Sequence, residues 1–349
     1  MSQKPSVNSM AVLLGAAAFI IIIAGMREAK ELLVPFLLAS FIAVIAAPPL
    51  FWLQRHKIPS ALAISIIIFA VVIVMILLAT LIGTSINDFS NELPVYRKLI
   101  AEKASILVDW LNSVGFNISK QEILAFIDPG EAMQLVAGIL KGFGSALSNT
   151  FMILLTVIFI LAEASSFPAK LRAILGHENN LGNFQQFLDN MQTYVGIKTL
   201  TSLATGLLVS IWLTILGVDY ALLWGLLAFV FNFVPTIGSI IAAIPAVLLA
   251  SIQLGIGSAL LTAIGYVVVN VGIGNGVEPR FMGKGLGLST LVVFLSLLFW
   301  GWVLGPVGML LSVPLTMTAK IALDSRDDTR WLAILLGPER AVKAEPSKN

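Results

Sequence analysis

The sequence predicts an all-α, polytopic bundle of transmembrane helices, with broken or re-entrant hairpin segments in the C-terminal half and a small helical extramembranous insert. Of its 349 residues, 58% are hydrophobic and only 11% charged, with a mean hydropathy of +0.96; soluble domains carry roughly 25% charged residues. The apolar runs are long and do not alternate, which suits helices crossing a core about 30 Å thick and not barrel strands. Two of the later runs are interrupted by proline, glycine and neutral polar side chains. Broken backbone at membrane depth is tolerated only where protein or a water-filled cavity satisfies it, so these interruptions mark candidate sites.

Residues 1–86 read as the N-terminal transmembrane helices. Ala11–Gly25 resembles the apolar region of a signal peptide, but no small-residue cleavage site follows Ile23 and another span begins at Leu32, so it reads as the first span. The second, Leu32–Leu53, is expected to be interrupted at Pro35 and at Pro48-Pro49, and the third, Ala61–Ile86, is nearly pure Ile, Val, Leu and Ala. Residues 87–147 then turn polar and form an extramembranous helical insert, with seven acids against five bases. Its first helix carries Tyr96, Leu99, Leu107, Trp110 and Leu111 on one face of 93–114, and capping patterns at Ser119–Glu122 and Asp128–Glu131 predict two more.

Residues 148–323 form the transport core, and 324–349 a cytoplasmic tail. The fourth span, Asn149–Ala162, ends at Glu163. The polar stretch 166–198 carries a helical stripe of Phe184, Phe187, Leu188, Met191, Tyr194 and Val195, and the fifth span runs over Leu200–Gly217. The first broken segment, 220–253, contains Phe231–Pro245, where Pro235 and Pro245 each remove a backbone donor. A further span, 254–272, leads to a glycine-rich connection up to Thr290. The second broken segment, 291–323, repeats the pattern of proline, glycine, apolar run and second proline through Pro306, Gly308 and Pro314, with Gly305 beside them. Two such segments in one half of a membrane chain point to a transporter's binding site.

Lys and Arg counted over short loops place the N- and C-termini in the cytoplasm, with Arg55, Lys57, Lys170, Arg172, Arg280 and Lys284 inside and the 87–147 insert on the periplasmic side. Both broken segments return the chain to the side it left. No cysteine is present, so there is no disulfide framework, thiolate metal site or cysteine nucleophile. No histidine lies in a span, and no nucleophile elbow, metal pair or phosphate loop is assembled, so neither an enzyme nor a metal or cofactor is expected. A net charge of +2 without a basic cluster gives no reason to expect a nucleic-acid partner.

The expected cavity is lined by Asn232, Thr236, Gly238, Ser239, Asn270 and Asn275. These groups donate and accept hydrogen bonds but bring little charge, which suits a small, neutral, hydroxylated solute better than an ion. Glu278 and Arg280, flanking Pro279, are read either as a gate or as a structural ion pair with each other.

Three blocks, NFVPTIGSIIAAIPAVLLA at 232–250, NVGIGNGVEPRFMGK at 270–284 and LVVFLSLLFWGWVLGPVGMLLSVPLTM at 291–317, resemble the autoinducer-2 exporter family of bacterial inner-membrane permeases. The resemblance implies export of autoinducer-2, a small polyhydroxylated furanone-derived quorum-sensing signal, by a homo-oligomer of five chains with an elevator-like movement of the broken segments. By position, its signature residues here are Asn232, Pro235, Gly238, Pro245, Asn270, Glu278, Pro279, Gly301, Gly305, Gly308 and Pro314. Some members of the family resemble sodium/proton antiporters, so cation/proton exchange is the alternative. A scaffold or regulatory protein acting through the insert is the alternative from another class.

Overall fold

Long apolar stretches with few helix breakers fold here into long helices, and single glycines at positive φ, Gly217, Gly255 and Gly305, mark where three of them stop. The computed structural model describes residues 9–114, 150–164, 170, 180–235, 237–282, 287–324 and 328–338. The helices are α1 (Ser9–Glu28), α2 (Lys30–Arg55), α3 (Ser60–Ser113), α4 (Thr150–Ala164), α5 (Asn180–Leu216), α6 (Ala221–Phe231), α7 (Ile237–Gln253) and α8 (Ile256–Asn270). A π-helical turn (Val271–Val277) follows, then α9 (Glu278–Met282), α10 (Thr290–Leu304), α11 (Pro306–Leu310), α12 (Ser312–Asp324) and α13 (Arg330–Leu335). Four stretches of the described residues are long and apolar enough to cross a membrane: Lys30–Arg55, Ser60–Phe89, Met191–Leu216 and Ile256–Val277.

Three boundaries differ from the sequence expectation. The second span runs unbroken through Pro35 and Pro48-Pro49, because helical spans tolerate proline where neighbouring groups take up the freed carbonyls. The third span does not end near residue 86 but continues as one helix of 54 residues, about 81 Å long at 1.5 Å per residue. Nothing between Ile86 and Leu93 stops a helix, and Pro94 lies inside it. The first predicted insert helix is therefore the outer half of α3; the other two lie outside the described residues. The stripe through Met191, Tyr194 and Val195 likewise joins the fifth span in the 37 residues of α5.

The chain divides into two compact units. In the unit of residues 43–286, α6 and α7 form an antiparallel hairpin. Its open end is tied by Gln253, which accepts from the Asp219 amide at 3.1 Å and donates to the Gly217 carbonyl at 3.3 Å. Leu223, Trp224, Leu227 and Ala228 of one arm meet Ala242, Ala246, Leu249 and Ala250 of the other in a shared core with Val209 and Leu213 of α5. At about 17 Å for α6 and about 26 Å for α7, both arms fall short of a hydrocarbon core about 30 Å thick.

The outer half of α3 braces this open end. Phe89 and Tyr96 are buried in the same core. The Tyr96 hydroxyl lies 2.7 Å from Glu92 Oε2 and 3.0 Å from Asp219 Oδ2, and Lys103 donates to the Ser251 carbonyl at 2.9 Å. Burial, and then these two carboxylates, hold the Tyr96 hydroxyl well above the usual tyrosine range, so it stays a neutral donor.

Helices α5 and α6 pack backbone to backbone. A Cβ on Gly206 would lie 2.7 Å from the Gly225 carbonyl oxygen, and one on Gly225 would lie 2.6 Å from that of Gly206. Small residues that let backbones approach are the usual means of helix association where lipid removes the hydrophobic drive.

In the other unit, residues 1–42 and 287–349, α10 to α12 form a second interrupted hairpin. Its turn depends on Gly305, whose φ of 73° is unfavourable for other residues, and Pro306 starts α11 where no amide donor is needed. Trp300 donates to Thr316 across the arms at 3.0 Å, and Lys320 donates to the Gly287 carbonyl at the base. The Arg27 guanidinium of α1 lies 4.4 Å above the Trp302 ring, and Ile23 packs with Val303 and Leu304.

The glycine contact yields a direct expectation. Gly225→Leu should lower stability by about 1–3 kcal/mol through overpacking, read as a lower thermal midpoint in detergent. Gly83→Ala, where a Cβ meets nothing within 4 Å, should keep that midpoint or raise it, since alanine favours a helix over glycine.

Candidate functional site

The site grows from the place where α6 cannot continue. Between Phe231 and Ile237 the chain turns through short bonds: Asn232 N to the Ala228 carbonyl at 3.0 Å, Val234 N to Phe231 O at 2.8 Å and Ile237 N to Pro235 O at 2.7 Å. The tip's backbone is thus largely satisfied within the protein, as membrane depth requires. Gly238 seals it, since a Cβ there would overlap the Phe231 carbonyl. Pro245 does not break the chain as the sequence implied; it is buried within continuous α7, where neighbouring helices take over what the missing amide gave up.

Beside the tip lies a cavity of about 540 Å³, whose polar lining comes from Lys198, Asn232, Ser239, Asn270, Asn275 and Glu278. Pro235 and Tyr266 also contribute, with an apolar remainder including Ile240 and Val267. Asn232 is buried and donates to the Ser202 hydroxyl of α5 at 3.0 Å. The Ser239 hydroxyl donates to Asn270 Oδ1 at 2.5 Å, while Asn270 Nδ2 donates to the Tyr266 carbonyl at 2.7 Å. These bonds hold the amides of α6 and α8 in fixed orientations towards one space.

The charge in this cavity comes as a pair. Lys198 Nζ lies 2.9 Å from each carboxylate oxygen of Glu278, with the two side chains 7% and 16% exposed. Glu278 therefore takes Lys198 of α5 as its partner and not the sequence neighbour Arg280, which is exposed. The reason is helical direction: α9 turns Glu278 inwards and Arg280 outwards. A short bidentate pair is well suited to partial burial, because each charge repays much of the other's lost hydration.

Of the residues singled out in the sequence, Asn232, Pro235, Ser239, Asn270, Asn275 and Glu278 meet at this cavity. Gly238 and Pro245 are buried structural members of the hairpin, and Thr236 lies outside the described residues. Gly305, Pro306, Gly308 and Pro314 belong to the other unit, where Gly308 packs on the Trp300 carbonyl as Gly238 packs on that of Phe231. The repeated sequence pattern is thus a repeated local geometry. Asp219 sits at the opposite end of the first hairpin, and Glu163 forms an exposed pair with Lys170.

Lys198 and Tyr266 are the lining residues that the sequence reading missed. Lys198 follows Tyr194 and Val195 by four and three positions, so it lies on their buried face; a lysine on an apolar stripe was the available signal. Tyr266 left none in an otherwise apolar span. Its hydroxyl and that of Thr262 are buried without a hydrogen-bond partner among the described residues, which is unusual for buried polar groups.

A multi-pass helical membrane protein with a broken hairpin, whose tip lines a cavity that carries several polar side chains, has features expected of a transporter. The sequence profile of the AI-2E family transporters matches residues 12–326, and the chain belongs to that family. It is 42% identical over 332 residues to the AI-2 transport protein TqsA of Escherichia coli, covering 95% of this chain and 96% of that one. It is also 42% identical to a Haemophilus influenzae protein named only by class, as a transport protein, over 96% of this chain and 98% of that one. With YhhT of Escherichia coli, likewise named for transport without a substrate, identity is 36% over 99% of both chains.

Removing one member of the Lys198–Glu278 pair strands the other charge. Lys198→Met or Glu278→Leu alone is expected to cost about 3–5 kcal/mol, while the double replacement should be close to neutral. A double-mutant cycle on thermal midpoints measures this, and additive losses would show that the pair is not coupled.

Proposed function

We propose that this chain exports autoinducer-2, or a solute of the same small, neutral, hydroxylated kind, across the bacterial inner membrane. The observation that carries this reading is the lining of the cavity, in which Asn232, Ser239, Asn270 and Asn275 share the wall with an ion pair that neutralises itself. Its volume of about 540 Å³ falls in the range of small-molecule pockets, about 300–1,000 Å³. Neutral amides and a hydroxyl bind hydroxyl groups through both donors and acceptors without demanding charge. The name of the TqsA relative supports the particular solute.

Topology supports the outward direction. The hairpin's open end lies beside the outer half of α3, and the cavity lies at the opposite, tip end. With the insert periplasmic, as the loop charges favour, the cavity faces the cytoplasm and loads from within the cell. Assembly into a homo-oligomer, with five chains as the family resemblance implies, and an elevator-like movement of the broken segments belong to this same reading.

Cation/proton exchange is the second reading, favoured by the carboxylate of Glu278 in the cavity. A cation there would have to displace an ammonium group held at 2.9 Å by both oxygens, which places this reading behind the first.

Deleting the gene from its host should raise intracellular autoinducer-2 at the expense of the medium. Equal distribution with and without the protein would contradict the reading. Proteoliposomes that acidify or alkalinise in response to sodium, with the response lost in Glu278→Gln, would favour the exchanger instead. Asn232→Ala should lower export roughly three- to tenfold, equivalent to a lost hydrogen bond of about 0.5–1.5 kcal/mol, with unchanged membrane insertion by blotting. Wild-type flux in that variant would move the solute site elsewhere.

A further inference from the structure

We propose that the π-helical turn Val271–Val277 is a gate in the cavity wall and that the Lys198–Glu278 ion pair is the latch that holds it closed. The proposal rests on reading the cavity as the solute site and adds to it a moving part and a residue, Lys198, that positions it.

The starting point is three glycines without a structural reason. Gly272, Gly274 and Gly276 lie in the turn. None has a positive φ, and a Cβ added to any of them would meet nothing within 4 Å. Neither backbone conformation nor close packing therefore calls for glycine at these positions, although glycine weakens a helix relative to alanine. What glycine supplies is ease of changing conformation. The segment is also wound as a π-helix over seven residues, a looser form that is rare and frequently found at functional sites.

This segment is part of the cavity itself. Val271, Gly274 and Asn275 line the space, flanked by Asn270 at the end of α8 and by Glu278 at the start of α9. Rewinding the turn towards an α-helix changes the rotation accumulated along it, so Asn275 and Glu278 swing together around the helix axis while Asn270 stays with α8. The movement opens or closes one wall without disturbing the hairpin tip.

What opposes the movement is the ion pair. Lys198 belongs to α5, which is fixed to α6 by the Gly206–Gly225 contact and to α8 by Trp212, whose indole donates to the Leu261 carbonyl at 3.0 Å. Lys198 is thus the stationary partner and Glu278 the moving one. Closed, the pair is neutral and bidentate. Opened, it leaves an ammonium donor on one wall and a carboxylate acceptor on the other, and a hydroxylated solute can satisfy both at once. Such a solute stabilises the open wall by replacing the bonds that the latch gives up.

The absence of cysteine from the chain makes a direct test available. Ile273→Cys places a single thiol on the moving turn, at a side chain that is buried while the latch is closed, and its labelling by a water-soluble maleimide is followed in liposomes containing the purified full chain. Adding Lys198→Met should raise the labelling rate roughly tenfold, because removing one partner frees the other. The charge swap Lys198→Glu with Glu278→Lys, which remakes the pair, should bring the rate back towards the starting value. Should Lys198→Met fail to insert, Glu278→Gln gives the same readout in a side chain of the same shape. Independently, the combined Gly272→Ala, Gly274→Ala and Gly276→Ala variant should keep the wild-type thermal midpoint or exceed it, yet export autoinducer-2 several-fold more slowly.

Labelling that ignores the latch variants, or wild-type export by the triple alanine variant, would overturn the gate. If wild type itself moves no autoinducer-2 while labelling responds as expected, the solute assignment fails and the latch stands.

Discussion

Everything at this site depends on one constraint: backbone that leaves the helical pattern at membrane depth must find its hydrogen bonds inside the protein. The chain between Phe231 and Ile237 meets it with tight local turns sealed by Gly238. It also gains neighbours that shield it, as α5 approaches on one side through the Gly206–Gly225 contact and α8 on the other through the Ser239–Asn270 bond. A cavity with oriented amides is what this enclosure leaves. The broken hairpin is thus the structural cause of the cavity.

The same hairpin separates two electrostatic environments along its length. At the open end, Asp219 and Glu92 share the Tyr96 hydroxyl, and the outer half of α3 braces the arms. At the tip, the charged groups that line the cavity among the described residues are one internally neutralised pair. A transporter of a neutral solute benefits from this division, since stray charge in the cavity would demand hydration that competes with the solute. The family membership and the cavity chemistry rest on separate observations.

Much of the architecture was legible in the sequence because membrane helices announce themselves by composition, and broken ones by proline and glycine. Phe231–Pro245 stood out for that reason, and Asn232, Ser239, Asn270, Asn275 and Glu278 do converge on one cavity. Helix ends were less legible. Polar residues at 87–92 suggested that the third span ends there, and those of 166–198 that their helical stripe stands apart from the fifth span, yet single helices run through 87–92 and from Asn180 into that span because nothing in either stretch forbids it. Proline misled in the opposite direction, since Pro48, Pro49 and Pro245 all lie within continuous helices. The partner of Glu278 was hidden because pairing across 80 residues depends on how α5 and α9 pack, and the local spacing favoured Arg280 instead. The parallel between the two broken segments survives as local geometry, with Gly238 and Gly308 each seated on a carbonyl of the preceding arm.

The central claim is that the cavity beside the hairpin tip holds a small hydroxylated solute. Equilibrium titration of purified protein with autoinducer-2, set against a sugar of similar size and repeated on Ser239→Ala combined with Asn270→Ala, tests it most directly. Saturable binding that prefers autoinducer-2 and weakens at least about fivefold in the double variant, equivalent to two lost hydrogen bonds of about 0.5–1.5 kcal/mol each, is the predicted result. Binding of equal strength in wild type and variant would contradict it.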